Sequence, residues 1–159
     1  MESLANVNFM ENARQNMLEG KYGAAIEYLT YEIAQNPESQ IAYRNRGVAK
    51  GILGEYEEAI KDLDEALKID TEDVYAYYNR GNVKKDMGRY AEAIADYKKA
   101  RKLDEKFAEP HYGLGDVKLK MGNNEEAVAH FLDALKLAAD SHNQRLFDFL
   151  QERIKEMLK

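Results

Sequence analysis

The side chains of this sequence best able to hold a metal ion are three histidines, His111, His130 and His142. Their spacing argues against that use. No two stand at i, i+4, where one helix face would present both imidazoles to zinc, and each falls in a different helical stretch. No metal is expected, and His111 is expected as a packing imidazole. The chain has no Cys, which removes thiolate nucleophiles, disulfides and Cys-based zinc sites from consideration. Gly113-Leu114-Gly115 supplies two of the three glycines of a nucleotide loop, but inside a helical stretch with no strand before it, so phosphate binding is not expected. Acidic and basic side chains such as Glu57 and Lys61, or Glu58 and Asp62, are dense along the same kind of stretch and are expected as solvated helix faces. No nucleophile, base and oxyanion donor converge, so neither an enzyme nor a cofactor is expected.

The elements that carry these residues are set by a period. Gly20, Gly54, Gly88 and Gly122 recur every 34 positions, each opening a matching phrase: Gly-Lys-Tyr-Gly-Ala-Ala-Ile, Gly-Glu-Tyr-Glu-Glu-Ala-Ile, Gly-Arg-Tyr-Ala-Glu-Ala-Ile and Gly-Asn-Asn-Glu-Glu-Ala-Val. A period of this length marks a repeat array. First helices are predicted near 6–18, 39–52, 73–86 and 107–120, and second helices near 22–35, 56–69, 90–103 and 124–137. Each Gly lies just past a first helix, where left-handed backbone angles suit a residue without a Cβ. Tyr22, Tyr56 and Tyr90 open second helices. Ala25, Ala59, Ala93 and Ala127 let a neighbouring helix approach, and Ile26, Ile60, Ile94 and Val128 supply core volume. Leu29, Leu63, Tyr97 and Phe131 continue the same buried face. Further small columns, Ala13, Gly47, Gly81 and Gly115 on first helices and Ala66, Ala100 and Ala134 on second helices, mark inter-helix contacts.

These columns resemble the tetratricopeptide repeat (TPR) family across residues 6–140. Its leading aromatic stands here as Phe9, Tyr43 and Tyr77, with His111 in the fourth copy; its closing Pro survives only as Pro37, with Thr71, Glu105 and Ala139 in the other copies. The resemblance implies an all-α fold, a right-handed superhelical solenoid of four antiparallel helix hairpins in a single domain 1–159. The repeats span about 6–39, 40–73, 74–107 and 108–140. Ser141 and Gln144 have the spacing of a capping box, and Leu146, Phe147, Leu150, Ile154, Met157 and Leu158 form one apolar face. Residues 141–158 are therefore expected to be a capping helix over the fourth repeat, with Phe149 off its packing face.

With 45% hydrophobic and 33% charged residues the chain is an ordinary globular composition. Its net charge of −6 and pI near 5.2 argue against nucleic acid as a partner. No segment approaches the roughly 20 apolar residues of a membrane span, and no export signal is evident after Met1, so direct membrane insertion is not expected and the location is expected to be cytoplasmic.

What the family resemblance implies is a peptide-binding groove lined by the first helices. Its ligand-facing positions fall on Val7, Met10, Arg14, Met17 and Leu18, then on Ile41, Arg44, Val48, Gly51 and Ile52. In the third and fourth repeats they fall on Tyr75, Tyr78, Asn82, Lys85 and Asp86, and on Glu109, Tyr112, Asp116, Leu119 and Lys120. The first half of this set is apolar with two Arg; the second carries Tyr with mixed charges. Val7, Leu18, Val48 and Ile52 suit packing between repeats equally well, whereas Arg14, Arg44, Tyr78 and Tyr112 are expected to be exposed. Lys50, Lys84 and Lys118 also repeat with the period: either their stems lie across the hairpin with the ammonium in water, or they form a cationic ladder for an acidic ligand. The carboxylate clamp of chaperone-tail binders is matched only at an Asn (Asn45 or Asn79), so such tails are disfavoured. The expected function is a non-enzymatic adaptor that binds a protein or peptide. The alternative is a self-assembling homo-oligomeric scaffold.

Overall fold

The structure, a computed structural model, describes residues 8–157 and 159. Among these there are nine helices and no strand. They are α1 (Phe9–Leu18), α2 (Tyr22–Gln35), α3 (Gln40–Ile52), α4 (Tyr56–Ile69), α5 (Val74–Asp86), α6 (Tyr90–Leu103), α7 (Glu109–Lys120), α8 (Asn124–Asp140) and α9 (Gln144–Met157). The second helices begin at the predicted Tyr22, Tyr56, Tyr90 and Asn124. The first helices begin one to three residues later than predicted. Residues 6 and 7 of the first prediction, and Leu158 of the last, lie outside the described residues.

Each hairpin closes on a Gly with positive φ, 72° at Gly20 and 76–81° at the other three. At the first turn the Gly20 N–H donates to the Met17 carbonyl at 3.1 Å and the Lys21 N–H to that of Asn16 at 2.8 Å, the paired bonds of a Schellman motif. Between repeats the chain instead leaves the helix through a residue with negative φ, Asn36, Asp70 or Asp104, the last two extended. Side chains then start helices: the Asn8 carboxamide and the Asp73 carboxylate accept from the Glu11 and Ala76 N–H groups, both at 3.0 Å.

The chain falls into two compact units, Met1–Asn79 and Arg80–Lys159. In the first, Ala13, Leu29 and Ala42 form a buried cluster with Met10, Met17, Tyr28 and Ile33 against it. In the second, Ala127, Phe131 and Ala134 are sealed by Leu150 and Ile154 of α9. The predicted columns Ala25, Ala59, Ala93, Ala127 and Leu29, Leu63, Tyr97, Phe131 are fully buried, while Ile26, Ile60, Ile94 and Val128 are half-buried.

Tyr97 shows how tightly the second unit is packed. Its ring lies between Gly81 and Gly113, and a Cβ added at Gly113 would stand 2.6 Å from the ring. The ring cannot swing away cheaply, because its hydroxyl donates to the Asn82 carboxamide oxygen at 2.7 Å. Gly113 and Gly115 are thus helix-packing glycines of α7. Gly113→Ala is expected to lose about 1–2 kcal/mol in urea unfolding, an overpacking cost of roughly 1–3 kcal/mol offset by a gain in helix propensity of roughly 0.5–1. Adding Tyr97→Leu, the side chain type of the same slot at Leu29 and Leu63, should recover part of the loss. An unchanged midpoint for Gly113→Ala would contradict the packing.

The end of the array departs from the capping-box expectation. Ser141 does not cap α9; its hydroxyl donates back to the Leu137 carbonyl at 2.8 Å, and Asn143 caps instead, accepting from the Leu146 N–H at 3.2 Å. The reason is that α8 runs three residues past the predicted end and closes in a turn centred on His142, whose φ is 58°. The His142 N–H donates to Ala139 and the Asn143 N–H to Ala138, the bonding of the Gly turns. An L residue in this region costs about 1–2 kcal/mol, so His142→Gly should raise stability by roughly 0.5–1 kcal/mol once glycine's greater freedom when unfolded is counted. A lowered thermal midpoint would refute this.

Candidate functional site

The charged columns fold inward. Asp62 of α4 receives the Arg46 guanidinium through two bonds of 2.7 and 2.8 Å, and the Lys50 ammonium lies at 2.8 Å. Asp96 of α6 repeats the arrangement with Arg80 at 2.6 and 3.0 Å and Lys84 at 2.7 Å. Both Asp residues are buried. The Asp62 hydrogen bonds hold the Arg46 guanidinium above its ordinary pKa. This corrects two expectations: Asp62 does not belong to a solvated face, and Lys50 and Lys84 neither reach open water nor form a ladder, because each is drawn to the carboxylate across its hairpin. Lys118 pairs with Glu126 at 2.7 Å on a more exposed edge. The missed signal was a triple column, Arg46/Arg80, Lys50/Lys84 and Asp62/Asp96, each member recurring with the 34-residue period.

In the first unit, Asp73 is the second such hub. It caps α5 and accepts from Arg44 at 2.8 and 2.9 Å and from Gln40. Arg44, half-buried rather than exposed as expected, is held with its guanidinium 5.4 Å from the centre of the Tyr75 ring. Arg14 is exposed and pairs along its own helix with Glu11 at 2.6 Å. Met10 and Met17 pack on the Ala13 cluster, and Val48 and Tyr78 are not exposed: Val48 is half-buried, as is Tyr78.

Beside these, four apolar side chains stand out from the first helices in two periodic columns. They are Leu18 and Ile52, 70% and 55% exposed, and Ile41 and Tyr75, 47% and 56% exposed. Leu18 and Ile52, which suited packing equally well in the sequence, are thus on the surface of this unit. The same columns continue in the chain as Asp86 and Lys120, and as Glu109.

In the second unit the proposed groove positions are largely engaged. Asn82 accepts the Tyr97 hydroxyl. Lys85 lies 3.0 Å from Asp116, which Arg153 of α9 approaches to 3.6 Å. Burial pulls the Lys85 ammonium down, but the Asp116 carboxylate more than offsets this and leaves its pKa raised. Tyr112 stacks on Phe131 at 5.8 Å and meets Phe149 edge-on at 5.5 Å, while Leu119 packs on the cluster sealed by α9. Burial, then the Asp116 charge, raises the Tyr112 phenol. Tyr112 is therefore half-buried rather than exposed, while Phe149, though edge-on to it, remains exposed.

Among the described residues, His111, His130 and Asp133 come together between α7 and α8, with their donor atoms within 4.8 Å of one another. His142 is not among them. Burial, then the charge of Arg101, holds both imidazoles below their ordinary pKa. No helix among the described residues is long and apolar enough to cross a membrane.

Helix hairpins repeated every 34 residues, closed by the same Gly turn and packed through the same Ala columns, define a class of helical-repeat protein. A TPR repeat family model matches residues 52–88 and 81–122, and a tetratricopeptide repeat model matches residues 108–141. The chain belongs to the tetratricopeptide repeat family, whose fold serves as a protein-interaction module. No curated protein matches the chain. Among solved structures it is similar to MamA, with 27% identity and a TM-score of 0.75 over 85% of this chain and 79% of the other. A thermophilic TPR protein of Thermus thermophilus has 24% identity and a TM-score of 0.80 over 94% of this chain and 79% of its own. The first TPR of Spaghetti (RPAP3), bound to HSP90 peptide SRMEEVD, has 23% identity and a TM-score of 0.69 over 72% and 90% of the two chains. The last two likenesses are of fold alone.

Proposed function

We propose that the chain is a non-enzymatic adaptor whose first helices hold a peptide segment of a partner protein. The proposed contacts are Met10, Arg14, Met17, Ile41, Arg44, Val48, Tyr75 and Tyr78 in the first unit. The corresponding positions of the second unit, Asn82, Lys85, Tyr112, Asp116 and Leu119, are engaged within that unit and are not assigned to this segment. The observation that carries the reading is the pair of exposed apolar columns, Leu18 with Ile52 and Ile41 with Tyr75. Apolar and aromatic side chains at regular intervals supply most of the energy of peptide recognition. Arg44, fixed by Asp73 against Tyr75, adds an oriented cation beside them. The partner segment is thus one with spaced apolar anchors rather than an acidic chaperone tail, since Arg44 is already neutralised and Met10 and Tyr75 occupy positions where a clamp needs Lys.

The test is selection of peptides from a displayed random library on the full chain, followed by calorimetry. Selected peptides should share apolar residues, and Ile41→Asp should weaken them about 10-fold or more, as expected for an anchor worth roughly 1.4 kcal/mol or above. Unchanged affinity in Ile41→Asp, at an unchanged thermal midpoint, would refute the site. Concentration-dependent self-association abolished by the same substitution would instead establish the homo-oligomeric scaffold.

A further inference from the structure

The fourth repeat breaks the charge pattern of its neighbours in three slots at once. Where repeats two and three have Tyr43 and Tyr77 it has His111; where they have Arg46 and Arg80 it has Leu114; and where they have Asp62 and Asp96 it has His130. The buried ion triad is gone, and two imidazoles face each other across the hairpin in its place. His111 is 9% exposed. The Nδ1 atoms of His111 and His130 are both buried and have no hydrogen-bond partner. Buried imidazole nitrogens are ordinarily paired, so two orphans in one place point to a missing ligand.

We propose that His111, His130 and Asp133 bind one divalent first-row transition-metal ion of the Zn2+ type between α7 and α8. Imidazole and carboxylate suit these ions, and three protein ligands leave a fourth position for water. The Asp133 carboxylate already lies 3.7 Å from His111 Nδ1, and its side chain is 61% exposed. Metal bonds of about 2.0–2.1 Å in a tetrahedral site put donor atoms roughly 3.3–3.4 Å apart. The donors, now within 4.8 Å of each other, must therefore draw in, and the exposed Asp133 is free to turn. His130 and Asp133 are one turn apart on α8, so they share a helix face. Neutral imidazoles are the ligand form. A hollow of about 580 Å³ beside His111 is lined by Lys98, Arg101, Lys102 and Glu105, so its cations oppose an ion on that side, and the exposed Asp133 marks the side open to water. Arg101 and Lys118 bear positive charge towards the imidazoles and limit affinity, though Lys118 is paired with Glu126.

The test is calorimetric titration of the untagged full chain with Zn2+, with the visible absorption of Co2+ as a second readout of bound geometry. One ion per chain is expected, held by three protein ligands. His130→Gln and His111→Tyr, the latter restoring the aromatic of Tyr43 and Tyr77, should each weaken binding by at least about 10-fold, since losing a ligand costs no less than losing a group behind one. Asp133→Asn, at an exposed position, should weaken binding and abolish the rise in thermal midpoint that Zn2+ gives the parent chain. His142→Gln should bind as the parent does. Absence of Zn2+ binding by the parent chain, or parent-like binding by His130→Gln and Asp133→Asn, would overturn the proposal.

Discussion

Ending the chain at Asp140 should lower stability to urea by about 3–6 kcal/mol and make the chain associate more strongly than the parent does. Leu150 and Ile154 are buried on Ala127, Phe131 and Ala134, with Leu146 and Met157 against the same cluster. Burial of one such side chain contributes roughly 1.5–3 kcal/mol, so the first two alone supply that range. Removing α9 also strips Phe149 from Tyr112 and Arg153 from Asp116. The bared aromatic and aliphatic face is a contiguous apolar patch of the kind that drives association. Urea unfolding, with light scattering after size exclusion across a range of concentrations, measures both effects. A truncated chain as stable and as monomeric as the parent would show that α9 caps nothing.

The second large effect is expected from Asp96→Ala, at about 3–5 kcal/mol, the usual cost of removing one partner from a buried ion pair. Asp96 is 4% exposed and takes both Arg80 and Lys84. Without it, the Lys84 ammonium keeps only Glu92, at 3.9 Å, while remaining mostly out of water. The desolvation of the cation then stands largely uncompensated. Replacing Lys84 by Met in the same chain should return part of the loss, because the orphaned charge goes with it. A loss under about 1 kcal/mol for Asp96→Ala, the range of an exposed pair, would mean that the triad is solvated in solution.

The hairpins were legible in the sequence because each rests on contacts internal to one 34-residue copy. Gly20 and its equivalents, the Ala25 and Ala13 columns and the Leu29 column all act within or beside their own repeat, so the period exposes them. Asp62 and Asp96 were not legible as buried groups. On their own helix they sit among Glu and Lys, and the partner that draws each one inward lies 16 residues earlier on the other helix of the hairpin. The meeting of His111 with His130 was hidden for the same reason, since i, i+4 spacing searches one helix and the fold joins two. Family positions placed Tyr112, Asp116 and Leu119 in a groove. A periodic pattern carries no information about the face that a non-repeating helix covers, and α9 covers this one.

The His142 turn bears on how such an array can grow. Within the array, each second helix passes to the next repeat through a linker residue with negative φ, Asn36, Asp70 or Asp104. After α8 the chain uses the other joint, the tight hairpin bonding found inside repeats, so that α9 follows α8 as α2 follows α1. Asp140 therefore offers no splice point for a further copy: a repeat joined there would begin on the wrong kind of turn. Duplication that keeps the joint used between repeats lengthens the array at one of those linkers, with α8 and α9 carried along together.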